Sequence, residues 1–167
     1  MLQYENVEAV DFNGIEGEIR YDWADKLGLM FNASYQDSRN QQKYLASGAL
    51  SATYKNRTPN KPWTFINAEA SYTFHQVFLP DSKLRVAYDY QWVHWFYLTW
   101  EAYGSAQTKP RIPSQHISNA SLLYSWKNDK YNLSLECTNL FDKLTYDNYM
   151  LQKPGRAFFA KFRVFIH

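Results

Sequence analysis

Apolar and polar residues change places at almost every step along this chain, and no long stretch repeats at helical spacing. A period of two predicts strands, and the pattern divides into seven, at about 14–22, 26–37, 63–75, 83–97, 114–126, 130–140 and 155–166. In the second, Leu27, Leu29, Phe31, Ala33 and Tyr35 share one face, against Gly28, Met30, Asn32, Ser34 and Gln36. The third sets Ile66, Ala68, Ala70, Tyr72 and Phe74 against Asn67, Glu69, Ser71 and Thr73. The sixth sets Tyr131, Leu133, Leu135 and Cys137 against Asn132, Ser134, Glu136 and Thr138. The last carries Phe158, Ala160, Phe162, Val164 and Ile166 opposite a mixed face with Lys161 and Arg163. Each strand reaches the length of about 9–11 residues that crosses a bilayer when tilted. In the fourth, an apolar set from Leu84 to Trp92 gives way to Val93-His94-Trp95-Phe96-Tyr97, expected to stand clear of an apolar band of ~25 Å. Leu133 is expected near the middle of that band.

Alternation alone does not say which face is inside, and a soluble lipocalin-like barrel binding an apolar ligand would show the same period. Two features favour a membrane. The connections run short, long, short, long, short, long: Trp23–Asp25, about 38–62, 76–82, about 98–113, Lys127–Asp129 and about 141–154. Outer-membrane barrels join their strands by short periplasmic turns and longer extracellular loops. Aromatic residues also gather beside the short turns, at Tyr21, Trp23, Tyr72, Phe74, Tyr124, Trp126 and Tyr131. Amphipathic rings prefer the headgroup level, where such barrels carry a girdle of them. The fold expected is all-β, an antiparallel up-and-down transmembrane barrel. The rival readings are the soluble barrel and, with no residue set in its favour, a β-sandwich enzyme.

Composition supports strands with one greasy and one wet face. Among 167 residues are 14 Tyr, 11 Phe and 6 Trp, yet mean hydropathy is only −0.56. A net charge of +2 gives no reason to expect nucleic acid. Cys137 stands alone, which leaves no internal disulfide framework. No apolar run approaches the ~18 residues of a membrane helix, and Met1-Leu2-Gln3-Tyr4-Glu5 has no signal-peptide character, so the chain is expected to open inside a longer protein. His75, His94, His116 and His167 lack metal-ligand spacing, and the glycines form no phosphate loop. No catalytic residue, metal or cofactor is therefore expected. The segment from Trp95 to Tyr103 is the candidate ligand contact, through Trp95, Tyr97, Trp100 and Tyr103, because exposed rings stack on chelates, haem or sugars.

Three motifs near the end of the chain carry a family resemblance. Asn139-Leu140-Phe141-Asp142 closes the sixth strand, Tyr146-Asp147-Asn148-Tyr149 follows it, and Pro154-Gly155-Arg156 opens the last; Ile112-Pro113 precedes the fifth. In this order they resemble the C-terminal part of TonB-dependent outer-membrane receptors. That resemblance implies a barrel of about 22 strands with a plugged lumen, of which seven would be the last third, present as an open fragment. It implies a role in energised uptake of a nutrient complex, foremost a ferric siderophore, with haem, cobalamin or a glycan as alternatives. The implied partners are outer-membrane lipid, the rest of the receptor (plug and first strands), TonB through the plug this chain lacks, the barrel-insertion machinery and the extracellular nutrient complex. Phe158, Phe162, Val164 and Ile166 would form the C-terminal assembly strand, although the family usually ends on an outward aromatic where this chain has Ile166 and then His167. At the last junction, Gly155 is expected to supply an unusual backbone angle, and Arg156 to reach Asp142 or Asp147.

Overall fold

Strands form where the sequence alternates. A computed structural model, describing residues 9–105, 110–147 and 151–166, contains β1 (Val10–Trp23), β2 (Leu27–Asn40), β3 (Thr64–His75), β4 (Lys83–Val93), β5 (Phe96–Tyr97), β6 (Arg111–Ile112), β7 (Gln115–Trp126), β8 (Tyr131–Thr138) and β9 (Ala157–Val164). The residues Asn148, Tyr149 and His167, and the opening Met1 to Glu5, lie outside the described part. Seven long strands make one antiparallel sheet in the order β1-β2-β3-β4-β7-β8-β9, while β5 and β6 pair separately. Consecutive long strands are always neighbours, which is the up-and-down order. The sheet is open, with β1 and β9 as its edges.

The register aligns the apolar faces of all seven strands. Tyr21, Leu29, Ala70, Tyr88, Ala120, Cys137 and Phe158 stand side by side in one row. One residue along each strand, the row is Asp22, Gly28, Ser71, Ala87, Ser121, Glu136 and Phe159, mostly small or polar. A slip of one residue anywhere would exchange the two faces. Apolar-face side chains remain open: Phe31 is 46% exposed, Leu135 45% and Phe162 58%. An autonomous lipocalin-like barrel would enclose them. Among the described residues, the cluster of buried apolar side chains is Phe96, Leu98 and Ile112, which sits in the loops and not on the large sheet.

Rings collect at the short-turn end as expected. Tyr72 and Phe74 lie 4.7 Å apart, Tyr124 stacks on Trp126 at 5.3 Å, and Trp126 stacks on Tyr131 at 5.4 Å. Phe162 joins them, 6.1 Å from Trp126. Leu133 shares a row with Tyr124 and Phe162, so it belongs beside this girdle. The mid-strand position on β8 is Leu135, one row further in, between Leu122 and Ala160.

Two of the short turns have the shape that suits twisted antiparallel strands. Ala24 and Asp25 both have positive φ (49° and 53°), and Lys26 N donates to Trp23 O at 3.0 Å. Asn128 and Asp129 repeat this (53° and 63°), with Lys130 N donating to Lys127 O at 3.1 Å. Positive φ at both central positions defines a type I′ turn, whose twist matches its strands. Asn and Asp tolerate that region well.

The structure departs from the sequence reading at several boundaries: β2 runs on to Asn40 past the expected 37, and β8 and β9 have 8 residues each, inside the expected 130–140 and 155–166 and short of the expected crossing length. Strand β1 begins at Val10, four residues before the expected position 14. The expected fourth strand 83–97 ends at Val93: His94 N still bonds Thr64 O in register with β3 (3.0 Å), but Trp95 N turns to the Ser114 hydroxyl (3.2 Å), and the chain enters the small β5–β6 hairpin. With two unpaired edges and an open apolar face, the isolated chain is expected to aggregate in plain buffer. Light scattering after detergent removal checks this; a monodisperse, reversibly unfolding monomer would contradict it.

Candidate functional site

The three long connections, 41–63, 94–114 and 139–156, leave the same end of the sheet and are tied into one platform. Asn60 N donates to Tyr97 O at 2.8 Å, linking the first to the second. Tyr146 N donates to Gln115 Oε1 at 2.6 Å, and its ring packs on the Phe96–Leu98–Ile112 cluster, linking the second to the third. Alternation around β5 explains the division of labour: Phe96 and Leu98 point into that cluster, and Trp95 and Tyr97 point away from it.

Trp95 and Tyr97 belong instead to a second, ring-rich cluster. Trp63 lies 4.6 Å from His94 and 4.7 Å from Trp95, and Tyr97 lies 5.1 Å from Trp95. Two guanidiniums cover the indoles, Arg57 at 4.0 Å over Trp63 and Arg111 at 5.6 Å over Trp95. Such cation–π contacts are worth about 0.5–2 kcal/mol each. The cluster is rooted on the apolar side of the sheet: Trp92 lies 5.5 Å from His94, and Arg57 Nη2 donates to the Tyr35 hydroxyl at 3.0 Å. Asp37, two residues beyond Tyr35 on the same face, takes Arg39 Nε at 2.6 Å and has Arg57 Nε at 2.8 Å. Trp100 and Tyr103 lie further along the hairpin, where Tyr103 N donates to Trp100 O at 3.0 Å and the Tyr103 ring is exposed. The four rings singled out in the sequence thus fall into two pairs. Trp63, His94, Arg57 and Arg111 were missed as partners. The available signal was that Trp63 and His94 each stand where an alternating apolar run meets a long loop.

The motifs at the third long connection form a closing junction. Asn139 and Asp142 take positive φ (49° and 50°). The Asn139 side chain spans the turn, its Nδ2 donating to Lys143 O at 2.8 Å while its Oδ1 accepts from Lys143 N at 2.9 Å. Asn139 N in turn donates to Asn119 Oδ1 at 3.0 Å, and Leu140 N to Ser118 O at 2.7 Å, which anchors the turn to β7. Phe141 projects outward. Asp142 Oδ1 accepts from Arg156 N at 2.8 Å, and Arg156 Nη1 reaches Leu140 O at 3.5 Å. Gly155 follows Pro154 with no left-handed φ; what matters there is room, because a Cβ would sit 2.7 Å from Asp142 Oδ1. Arg156 meets Asp142 through its backbone, so the expected side-chain ion pair is replaced by a carboxylate cap. From this junction β9 carries Phe158, Phe162 and Val164 along the exposed apolar face, with Ile166 beyond its end.

The opposite face is polar and internally cross-linked. Arg85 Nη2 donates to Glu69 Oε1 at 2.9 Å and to Ser71 Oγ at 3.1 Å; Asn67 donates to Asn32 at 2.7 Å, and Gln91 to Asn67 at 3.1 Å. Among the described residues, no His, Cys, Asp and Glu gather as a metal site. His116 Nδ1 is 2.7 Å from the Tyr90 hydroxyl, and His94 Nδ1 is 2.8 Å from Trp95 O.

Comparison with solved structures finds the same architecture in the FrpB iron transporter from Neisseria meningitidis (F3-3 variant), at a TM-score of 0.63 and 16% identity. The match covers 88% of this chain and 22% of the transporter chain, so this chain spans under a quarter of that protein's length. None of the curated proteins matches by sequence. The family model for "TonB dependent receptor-like, beta-barrel" matches residues 2–140, which takes in β1 to β8 and ends inside the Asn139-Leu140 turn. Continuous match over most of the chain, on a sheet whose strand order and face alternation are those of a barrel wall, identifies the chain as a member of the TonB-dependent receptor β-barrel family.

Proposed function

We propose that residues 1–167 form the C-terminal third of a receptor barrel in the bacterial outer membrane, seven of about 22 strands. The complete receptor takes up a ferric siderophore, driven by TonB acting on a plug that this chain does not contain. The observation that carries this reading is the register, which aligns apolar side chains in continuous rows across all seven strands and leaves them open. A lipid-facing wall needs that arrangement, and a soluble wall would expose it to water. Short turns then lie at the periplasmic end and the loop platform outside the cell. The polar face lines the lumen and meets the plug; β1 and β9 pair with the rest of the receptor. Phe158, Phe162, Val164 and Ile166 form the strand read by the barrel-insertion machinery. The role is transport and not catalysis.

An iron cargo is favoured by the likeness to an iron transporter. Extracellular contact with that cargo is assigned to Trp100 and Tyr103 at the outer part of the hairpin, whereas Trp95 and Tyr97 are committed to the cluster on the outer wall. Uptake of a radiolabelled ferric siderophore by cells that rely on the complete receptor should require both the receptor and TonB. Haem, cobalamin or glycan uptake in its place would overturn the cargo, and TonB-independent uptake would overturn the mechanism. Replacing Trp100 and Tyr103 together by Ala should weaken siderophore binding about ten-fold.

A further inference from the structure

Charge is segregated along this chain. The three long connections, 41–63, 94–114 and 139–156, hold nine Lys and Arg against three Asp and Glu, a net of +6. The whole chain is only +2, so the strands and short turns, with nine cations against thirteen carboxylates, are −4. The first connection is the extreme case, with Lys43, Lys55, Arg57 and Lys61 and no carboxylate at all. Arg57 is already engaged, on the Trp63 ring and with Asp37. Lys43, Lys55 and Lys61 are exposed and form no ion pair with a carboxylate among the described residues.

These ammonium groups stand on a fixed support. Asn40, 2% exposed, donates from Nδ2 to Thr53 Oγ1 at 2.8 Å and accepts at Oδ1 from Gln42 N at 2.8 Å, and Ser51 Oγ lies 3.0 Å from Thr53 Oγ1. That buried polar knot pins a small hairpin in which Tyr44 bridges Leu50. Lys43 Nζ lies 5.4 Å over the Tyr44 ring; Lys55 Nζ lies 5.3 Å over Tyr54 and donates to Gln41 Oε1 at 2.7 Å. Lys61 lines a small cleft with Gln36 and Ser38, which places it at the head of the polar face. The bond from Asn60 N to Tyr97 O ties this connection to the hairpin that carries Trp100 and Tyr103. One exposed ammonium gains little from an anion in water, but several unopposed on one loop set up a field that speeds an anion's arrival. Rings beside them suit an anion that is itself aromatic. Among ferric chelates this discriminates. Three singly charged hydroxamates neutralise a ferric ion, whereas three doubly charged catecholates leave the complex a trianion built of rings. The neutral complex gains nothing from the field.

We propose that the cargo is an anionic ferric catecholate, captured by Lys43, Lys55 and Lys61 on the first long connection and passed to the rings of Trp100 and Tyr103. The inference rests on the ferric-siderophore reading above and narrows it to one charge class.

The test uses the complete receptor in detergent and follows, by quenching of its tryptophan fluorescence, the association of a ferric tris-catecholate, a neutral ferric tris-hydroxamate and haem. The catecholate should associate about ten-fold faster at low salt than at ~0.5 M salt, and the hydroxamate at a rate that salt leaves unchanged. Replacing Lys43, Lys55 and Lys61 together by Gln should slow the catecholate about ten-fold at low salt, and little at high salt. Tyr44→Leu keeps the charges and removes a ring, so it should raise the catecholate Kd about three-fold with the salt dependence unchanged. Heat-modifiable gel mobility reports whether each variant is folded. A wild-type rate in the folded triple variant, or hydroxamate bound as tightly as catecholate, would overturn the charge class and leave the siderophore reading standing. Binding of haem with neither siderophore chelate bound would overturn the siderophore reading itself.

Discussion

Leu135→Arg in the complete receptor is expected to destabilise the inserted barrel by about 2–4 kcal/mol, and Ser134→Arg by little. The two positions are adjacent on β8 and differ in the face they present. Leu135 lies on the apolar face between Leu122 and Ala160, one row inward from the row of Tyr124 and Phe162, with 45% of its surface open. A guanidinium there must be drawn into hydrocarbon or snorkel along a path blocked by neighbouring rings. Ser134 pairs with Leu123 and Lys161 on the polar face, where an added cation remains in water. Leu133→Arg, one row nearer the girdle, should fall between them, because the penalty declines toward the interface. Urea titration of the inserted receptor in lipid vesicles reads all three. Equal losses at Leu135 and Ser134 would contradict the assignment of faces.

Gly155→Val is expected to lower the yield of inserted receptor several-fold, with ligand affinity of the surviving molecules unchanged. The added side chain would start 2.7 Å from Asp142 Oδ1, and the carboxylate that caps Arg156 N would have to leave. Losing such a charge-assisted cap costs about 1.5–3 kcal/mol, at the place where the last strand begins. Asp142→Ala removes the cap and also relieves the clash. Adding it to Gly155→Val should therefore cost less than the two single losses combined, as coupled neighbours do. Arg156→Ala should act in the same direction but more weakly, since its guanidinium makes a long contact to Leu140 O at 3.5 Å and lies 6.0 Å over the Phe158 ring. Heat-modifiable mobility gives the yield and equilibrium binding of the cargo gives the affinity. A sharp fall in affinity at normal yield would move this junction into the ligand site.

The strands were legible because face alternation is decided residue by residue, and each of the seven carries its own copy of the signal. Loop order and the girdle were legible for the same reason: both are properties of consecutive residues. What depends on pairing was not. Placing Leu133 at mid-band assumed that β8 started level with its neighbours, and only the register shows its row to be that of Tyr124 and Phe162. The break after Val93 shows where Trp95 N turns to the Ser114 hydroxyl, which alternation cannot reveal. Arg57, Trp63, Trp95 and Arg111 come from separate parts of the chain, so their meeting is a consequence of how two loops fold. Gly155 was recognised as a constrained position, but the constraint is a carboxylate in space and not a backbone angle.

The central claim is that one continuous face of this sheet meets lipid and the other meets water. Fluorophores placed singly at Leu29, Leu135 and Phe162, and at Asn32, Ser134 and Lys161, in the complete receptor reconstituted in vesicles, test it most directly with lipid-borne and aqueous quenchers. The first three should be quenched from the lipid and shielded from the aqueous agent, and the second three should show the reverse. The opposite pattern, or no difference between the sets, would contradict the account.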